Sequence, residues 1–182
     1  RRQRQMCIRD SSALDPKAYR KAVALLAESE FIDIFGVENS LTPAMDLFTK
    51  LGYLGLTCRL NTDAYLQQIG AGHLPHGAVA VAFSHSGSSA DTVKALRLAK
   101  SHGAKTIAIT NAIGAPLASW ADVTLLTGRD SHTIYGNAIF SRVADTALVD
   151  MLYMGVILSG YGRFSTALDE SGRMIRDRVF EN

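Results

Sequence analysis

Cysteine is close to absent from this chain of 182 residues: Cys7 and Cys58 are the only two, and neither has a second thiol beside it. That excludes a disulfide framework and a CxxC metal spacing, so a reducing, cytoplasmic setting is expected, with no metal or cofactor implied. Long hydrophobic runs are missing too. Nothing approaches the roughly 18 consecutive apolar residues that suggest a membrane span. The most apolar stretches, such as Ala78 to Phe83, have the length of core strands. Charge of one sign is equally scarce. The net charge of +2 comes from Arg1, Arg2, Arg4 and Arg9, offset locally only by Asp10. Beyond residue 11 there remain 15 basic and 16 acidic residues, a net charge of −1, and no basic stripe of the kind that tracks a nucleic-acid backbone. Glutamate is the last shortage: none occurs between Glu38 and Glu170.

The basic segment at residues 1–11 stands apart. Its sequence resembles translated sequencing-adapter read-through, and the alternative is a basic interdomain linker. No apolar stretch follows the arginines, so a signal peptide does not fit. Either way these residues are left out of the fold, and the expected layout is one ligand-binding domain over residues 12–160 followed by a helical tail over 161–182. On the read-through alternative the coding sequence continues upstream.

What is present is a regular alternation of helix and strand signals. Asp15-Pro16 pairs an N-cap acid with proline at the first helical position, and an apolar stripe at helical spacing runs on to about Ser29. Strands are expected at Phe31–Phe35, Leu54–Leu60, Ala78–Phe83, Thr106–Thr110 and Val123–Leu126. Helices are expected from Thr42-Pro43 to Leu51, Ala64 to Ile69, Asp91 to His102 and Ala138 to Leu158, with a helical turn at Pro116–Trp120 and an amphipathic tail from Ser165 to Arg178. Strands apolar on both faces, alternating with helices, predict a parallel sheet covered on each side. The fold class is α/β, a doubly wound five-stranded parallel sheet flanked by helices in a flavodoxin-like three-layer sandwich.

Ligands in such folds bind beyond the carboxyl ends of the strands. After the third strand comes Ser84-His85-Ser86-Gly87-Ser88-Ser89, leading straight into a helix. Hydroxyls together with the free N–H groups of a helix N-terminus make a neutral, donor-rich cup suited to a phosphate dianion. Gly87 lets the backbone approach the anion. After the first strand, Gly36 to Ser40 also enters a helix, where Ser40 either adds a hydroxyl or simply caps. After the fourth, Thr110-Asn111 either reaches the ligand or forms an Asx turn.

Ser84-His85-Ser86-Gly87-Ser88-Ser89 resembles the SxSGx(S/T) phosphate loop of the sugar isomerase (SIS) domain. Gly36 to Ser40 resembles that family's first-strand loop. Thr106 to Asn111, Ala115-Pro116-Leu117-Ala118 and Ala121-Asp122-Val123 resemble its fourth-strand region. Ser141 to Ala144 with Leu148 to Tyr153 resembles the closing helix of SIS domains in RpiR/MurR-type transcriptional regulators. The resemblance covers residues 14 to 160 and implies phosphosugar contacts at Ser40, Ser84, His85, Ser86 and Ser89. It also implies a dimer or tetramer, and contact with DNA only through a separate N-terminal helix-turn-helix domain. One departure is Glu38, where the family commonly has glycine. A carboxylate near a phosphate is unfavourable unless it points away, and at a helix N-terminus it is welcome in solvent.

Aldose–ketose isomerisation needs a positioned base, and isomerases of this family are similar in using a glutamate or histidine beyond the phosphate loop. The gap between Glu38 and Glu170 removes the glutamate. Asp130 and His132 remain as substitutes, each also readable as an ordinary solvated loop residue. The histidine- and glycine-rich tail motif of arabinose-phosphate isomerases of this fold is absent as well. The expected function is thus the phosphosugar-binding effector domain of an RpiR-type regulator, with no catalytic residues. A stand-alone sugar-phosphate isomerase using Asp130 or His132 is the alternative.

Overall fold

In the computed structural model, which describes residues 14–128 and 141–176, the chain begins as its first signal requires. Asp15 Oδ1 accepts from Lys17 N at 2.9 Å, and helix α1 runs Pro16–Glu28. There follow β1 (Ile32–Phe35), a 3₁₀ turn (Glu38–Ser40), α2 (Leu41–Tyr53), β2 (Cys58–Leu60), α3 (Ala64–Ala71) and β3 (Val79–Phe83). Next come α4 (Ala90–Ser101), β4 (Lys105–Thr110), a 3₁₀ turn (Ala118–Trp120), β5 (Val123–Leu126), α5 (Val143–Ser159) and α6 (Tyr161–Met174). The five strands form one sheet in the order β2-β1-β3-β4-β5, every pair parallel. The chain moves outward from β1 to β2, then crosses back to β3. That reversal puts the topological switch point between β1 and β3.

The two faces of the sheet are packed differently, and β3 shows why. Val79, Val81 and Phe83 join the core under α1, α2 and α5, while Ala80 and Ala82 join the one under α3 and α4. Large residues fill the first layer, and alanines let helices approach closely on the second. Phe164 of α6 is buried in the first core, so α6 packs onto the domain after a bend of 116° from α5. Among the described residues no single helix is long and apolar enough to cross a membrane.

Three elements differ from expectation. The second strand starts at Cys58, not Leu54, because the N–H groups of Leu54 and Leu56 are spent on the Leu51 carbonyl at the end of α2. Leu54 and Leu56 are buried as expected of a strand, but in the turn that closes the helix. The long helix begins at Val143, and the part expected from Ala138 to Phe140 lies outside the described residues. The tail helix starts four residues earlier than Ser165, at Tyr161.

A buried charge on β1 is structural. Asp33, 1% exposed, takes bonds from Arg59 Nε at 3.1 Å and Nη2 at 2.7 Å. Burial pushes its carboxyl upward against the pull of Arg59. Gly70 leaves room for the guanidinium, since a Cβ there would sit 2.6 Å from Arg59 Nη2. The Cys58 thiol is pushed up to about 12 by burial, which leaves it protonated and a poor nucleophile.

Candidate ligand site

Four helices begin at the carboxyl edge of the sheet: α2 after β1, α3 after β2, α4 after β3 and α5 after β5. Each presents N–H groups with no partner inside its own helix. β1 and β3 are neighbours in register, Phe35 beside Ala82, so the loops after them leave the same edge side by side.

The β1 loop is tightly built. A Cβ on Gly36 would stand 3.1 Å from the Ser40 carbonyl oxygen, so only glycine fits without a shift. Gln67 of α3, buried, clamps the loop: its amide donates to Gly36 O at 2.7 Å and Asn61 O at 2.8 Å, and its oxygen accepts from Gly36 N at 3.2 Å. Ser40 is buried and its hydroxyl makes no capping bond to α2. Glu38 has φ of 51°, the left-handed region where a side chain costs roughly 1–2 kcal/mol. That conformation is the physical reason glycine suits this position. Glu38 itself is exposed and opens the 3₁₀ turn, the solvated placement.

The serine loop is anchored from below. Ser84 N donates to Ile109 O at 3.1 Å and Gly87 N to Ser84 O at 2.9 Å. Ser86 Oγ accepts from Ser88 N at 3.3 Å and from Ser88 Oγ at 3.0 Å. Gly87 is buried with φ of 63°, and a Cβ there would lie 2.3 Å from Ala115 Cβ and 2.8 Å from Thr110 Oγ1. Ser89 occupies the N-cap position of α4 without spending its hydroxyl on a cap, while its carbonyl takes the first helical bond from Val93 N at 2.9 Å. Ser40, Ser84, Ser86 and Ser89 therefore lie on two adjacent loops at one edge.

The β4 loop has a supporting role. Thr110, fully buried, donates to His85 O at 3.1 Å and accepts from Ala112 N at 3.2 Å; Asn111 N also donates to His85 O, at 3.0 Å. Leu117 N donates to Gly87 O at 2.9 Å. Thr110-Asn111 thus holds the serine loop by its backbone.

Sequence reasoning missed four groups. Asp145, buried in the first turn of α5, brings Oδ2 to 3.9 Å from His85 Nδ1, while His85 Nε2 is 3.4 Å from Asn111 Nδ2. This ties the serine loop to α5. Gln67 was hidden because nothing local marks a glutamine that clamps a distant loop. Arg142, at the N-cap of α5, has Nε and Nη1 buried without hydrogen-bond partners; so has the hydroxyl of Thr127, just beyond β5. An open cleft of about 410 Å³ on the flank of α5 is lined by Arg142, Val143, Thr146, Ala147 and Asp150. Asp130 and His132, the candidates for catalysis, lie outside the described residues.

The family model described as the SIS domain matches residues 25–155. The chain belongs to the SIS domain family. This SIS domain is 30% identical over 171 residues to an uncharacterized HTH-type transcriptional regulator of Caldanaerobacter subterraneus subsp. tengcongensis. The match takes in 94% of this chain and 61% of the relative, so the SIS domain spans less than two thirds of that protein's length. Among solved structures, the NanR protein of Vibrio vulnificus complexed with ManNAc-6P superposes with a TM-score of 0.87 at 24% identity, over 94% of this chain and 65% of that one. The sugar isomerase domain of an RpiR transcription factor from Sphaerobacter thermophilus superposes with a TM-score of 0.83 at 23% identity, over 93% of each chain. At those identities the two structures establish that the fold is shared.

Proposed function

We propose that this SIS domain is the phosphosugar-sensing effector domain of an RpiR-type regulator, and that it senses its ligand without transforming it. The observation that carries this reading is the serine loop at the switch point. Hydroxyls of Ser84, Ser86 and Ser89 stand there with the open N–H groups of α4, across from Ser40. His85 completes the loop. A phosphate dianion needs many short donors and gains from the helix dipole, and this edge offers both. The complex of NanR with ManNAc-6P supports this ligand class, and the HTH-type regulator relative supports the regulatory role. DNA contact then falls to a separate helix-turn-helix domain.

Calorimetry tests the reading. Hexose 6-phosphates, N-acetylmannosamine 6-phosphate included, should bind at least about 100-fold more tightly than the parent sugars, because the donors described face a phosphate. Equal affinity for a sugar and its phosphate would remove the serine loop from the site.

The domain also acts as an oligomer in this proposal. On α5, Leu148, Leu152, Val156 and Ile157 are buried, yet Val143, Met151, Met154 and Leu158 are 45–70% exposed. At 100° per residue those four fall within an arc of about 80°. A contiguous apolar stripe opposite the buried face of a helix calls for a partner, and a second copy of this chain presents the same stripe. Light scattering at micromolar concentration should return a dimer or tetramer, and a clean monomer would refute it.

A further inference from the structure

Of the buried residues on α5, Leu148, Val149, Leu152, Val156 and Ile157 are apolar and Asp145 is the single acid. Asp145 is 5% exposed, and a buried carboxylate is costly unless a donor or a cation meets it. Its place in the first turn of α5 offsets part of that cost through the helix dipole. An apolar residue would fill the same space with a smaller desolvation penalty, so packing alone does not account for the acid. Among the described residues, the ion pair that Asp145 forms is with His85 of the serine loop, Oδ2 to Nδ1 at 3.9 Å.

His85 is held from its other side as well. Its Nε2 is 3.4 Å from Asn111 Nδ2, and its carbonyl takes bonds from Thr110 Oγ1 and Asn111 N. A carboxylate can only accept a hydrogen bond, and an amide N–H can only donate one. The two neighbours together select one form of the neutral ring, with the proton on Nδ1 toward Asp145 and the lone pair on Nε2 toward Asn111. At 3.9 Å the carboxylate acts on the ring through its charge, and a movement of about 1 Å would close the pair to a hydrogen bond. Asn111, half-buried beyond the end of β4, then spends one N–H on His85. Its carboxamide keeps an oxygen and a second N–H, a donor and acceptor side by side that match a sugar hydroxyl.

We propose that Asp145 is a positioning residue of the phosphosugar site: it fixes the His85 ring with its proton on Nδ1, and the ring in turn orients the Asn111 carboxamide for a sugar hydroxyl. The inference rests on the phosphosugar reading and adds to it a polar group for the sugar beside the serine cup for the phosphate. Asp145 acts through His85 and need not touch the ligand.

The experiment compares the wild-type chain with Asp145→Asn, which keeps the size and removes the charge, and Asp145→Glu, which keeps the charge. Nitrogen NMR of the ligand-free chains at about pH 8.5, where an ordinary imidazole is neutral, reads the form of the His85 ring. The ring should carry its proton on Nδ1 in wild type and in Asp145→Glu, and shift toward the Nε2–H form in Asp145→Asn. Calorimetry with N-acetylmannosamine 6-phosphate and glucose 6-phosphate should show binding weakened by about 5–30-fold in Asp145→Asn, with part of it recovered in Asp145→Glu. A ring form that Asp145→Asn leaves unchanged would overturn the inference, and a melting temperature lowered by several degrees alongside it would make Asp145 a residue of the fold only. Affinity kept within about twofold in Asp145→Asn would also overturn it, since a hydrogen-bonded positioning group is worth more than that. Both results leave the phosphosugar reading intact. Wild type that binds neither probe would remove that reading and this inference with it.

Discussion

Replacing Ser84 and Ser86 together by alanine is expected to abolish sugar-phosphate binding while the chain stays folded. Each hydroxyl lost from a charged acceptor costs roughly 1.5–3 kcal/mol. Two of them amount to about 3–6 kcal/mol, a drop in affinity of about 10²–10⁴. Ser86 has a second part: its Oγ holds Ser88 N and Oγ, so its removal also releases the tip of the loop. Fold retention follows from where the anchors lie. The loop is tied down by backbone bonds, Ser84 N to Ile109 O, Asn111 N to His85 O and Leu117 N to Gly87 O, and none of these needs a serine side chain. Calorimetry with N-acetylmannosamine 6-phosphate, alongside circular dichroism and a melting curve, checks both halves. Undiminished affinity in a folded double variant would move the ligand elsewhere, and an unfolded variant would make the loop structural.

The second large effect is an absence of turnover. A positioned acid or base supplies roughly 10²–10⁴-fold in rate. The described edge offers hydroxyls and amide groups, with Glu38 exposed on the β1 loop and Asp145 set against His85. A coupled assay over hexose, pentose and amino-sugar phosphates should show binding without isomerisation. Turnover in the enzymatic range of roughly 1–10³ s⁻¹, lost in Asp130→Ala or His132→Ala, would make the protein an isomerase and return those two residues to the site. Turnover unaffected by either would point to a base on another residue.

Element types were legible because burial leaves a local trace. Val79-Ala80-Val81-Ala82-Phe83 is apolar at every position, and a segment of strand length that hides both faces belongs inside a covered parallel sheet. Asp15-Pro16 and the serine loop were legible for the same reason, since a cap or a strand-to-helix turn is written in adjacent residues. The short β2 was misjudged because Leu54 and Leu56 carry a strand-like pattern, while their N–H groups serve the end of α2. Hydrophobicity reports that a residue is buried, not which backbone partner it uses.

By itself, then, the amino-acid order determined an α/β sandwich, a donor-rich loop at the end of a buried strand, and the absence of any glutamate between Glu38 and Glu170. Tertiary structure alone decided that β1 lies beside β3, which sets Ser40 across from the serine loop. It also decided that Asp145 reaches His85, that Gln67 clamps Gly36, and that Arg142 Nε and Nη1 are buried without an acceptor. The division is physical. Helix periods, caps and turns arise between residues a few positions apart, whereas His85 and Asp145, 60 positions apart in the chain, meet only once strand order and helix packing have been settled by the whole core.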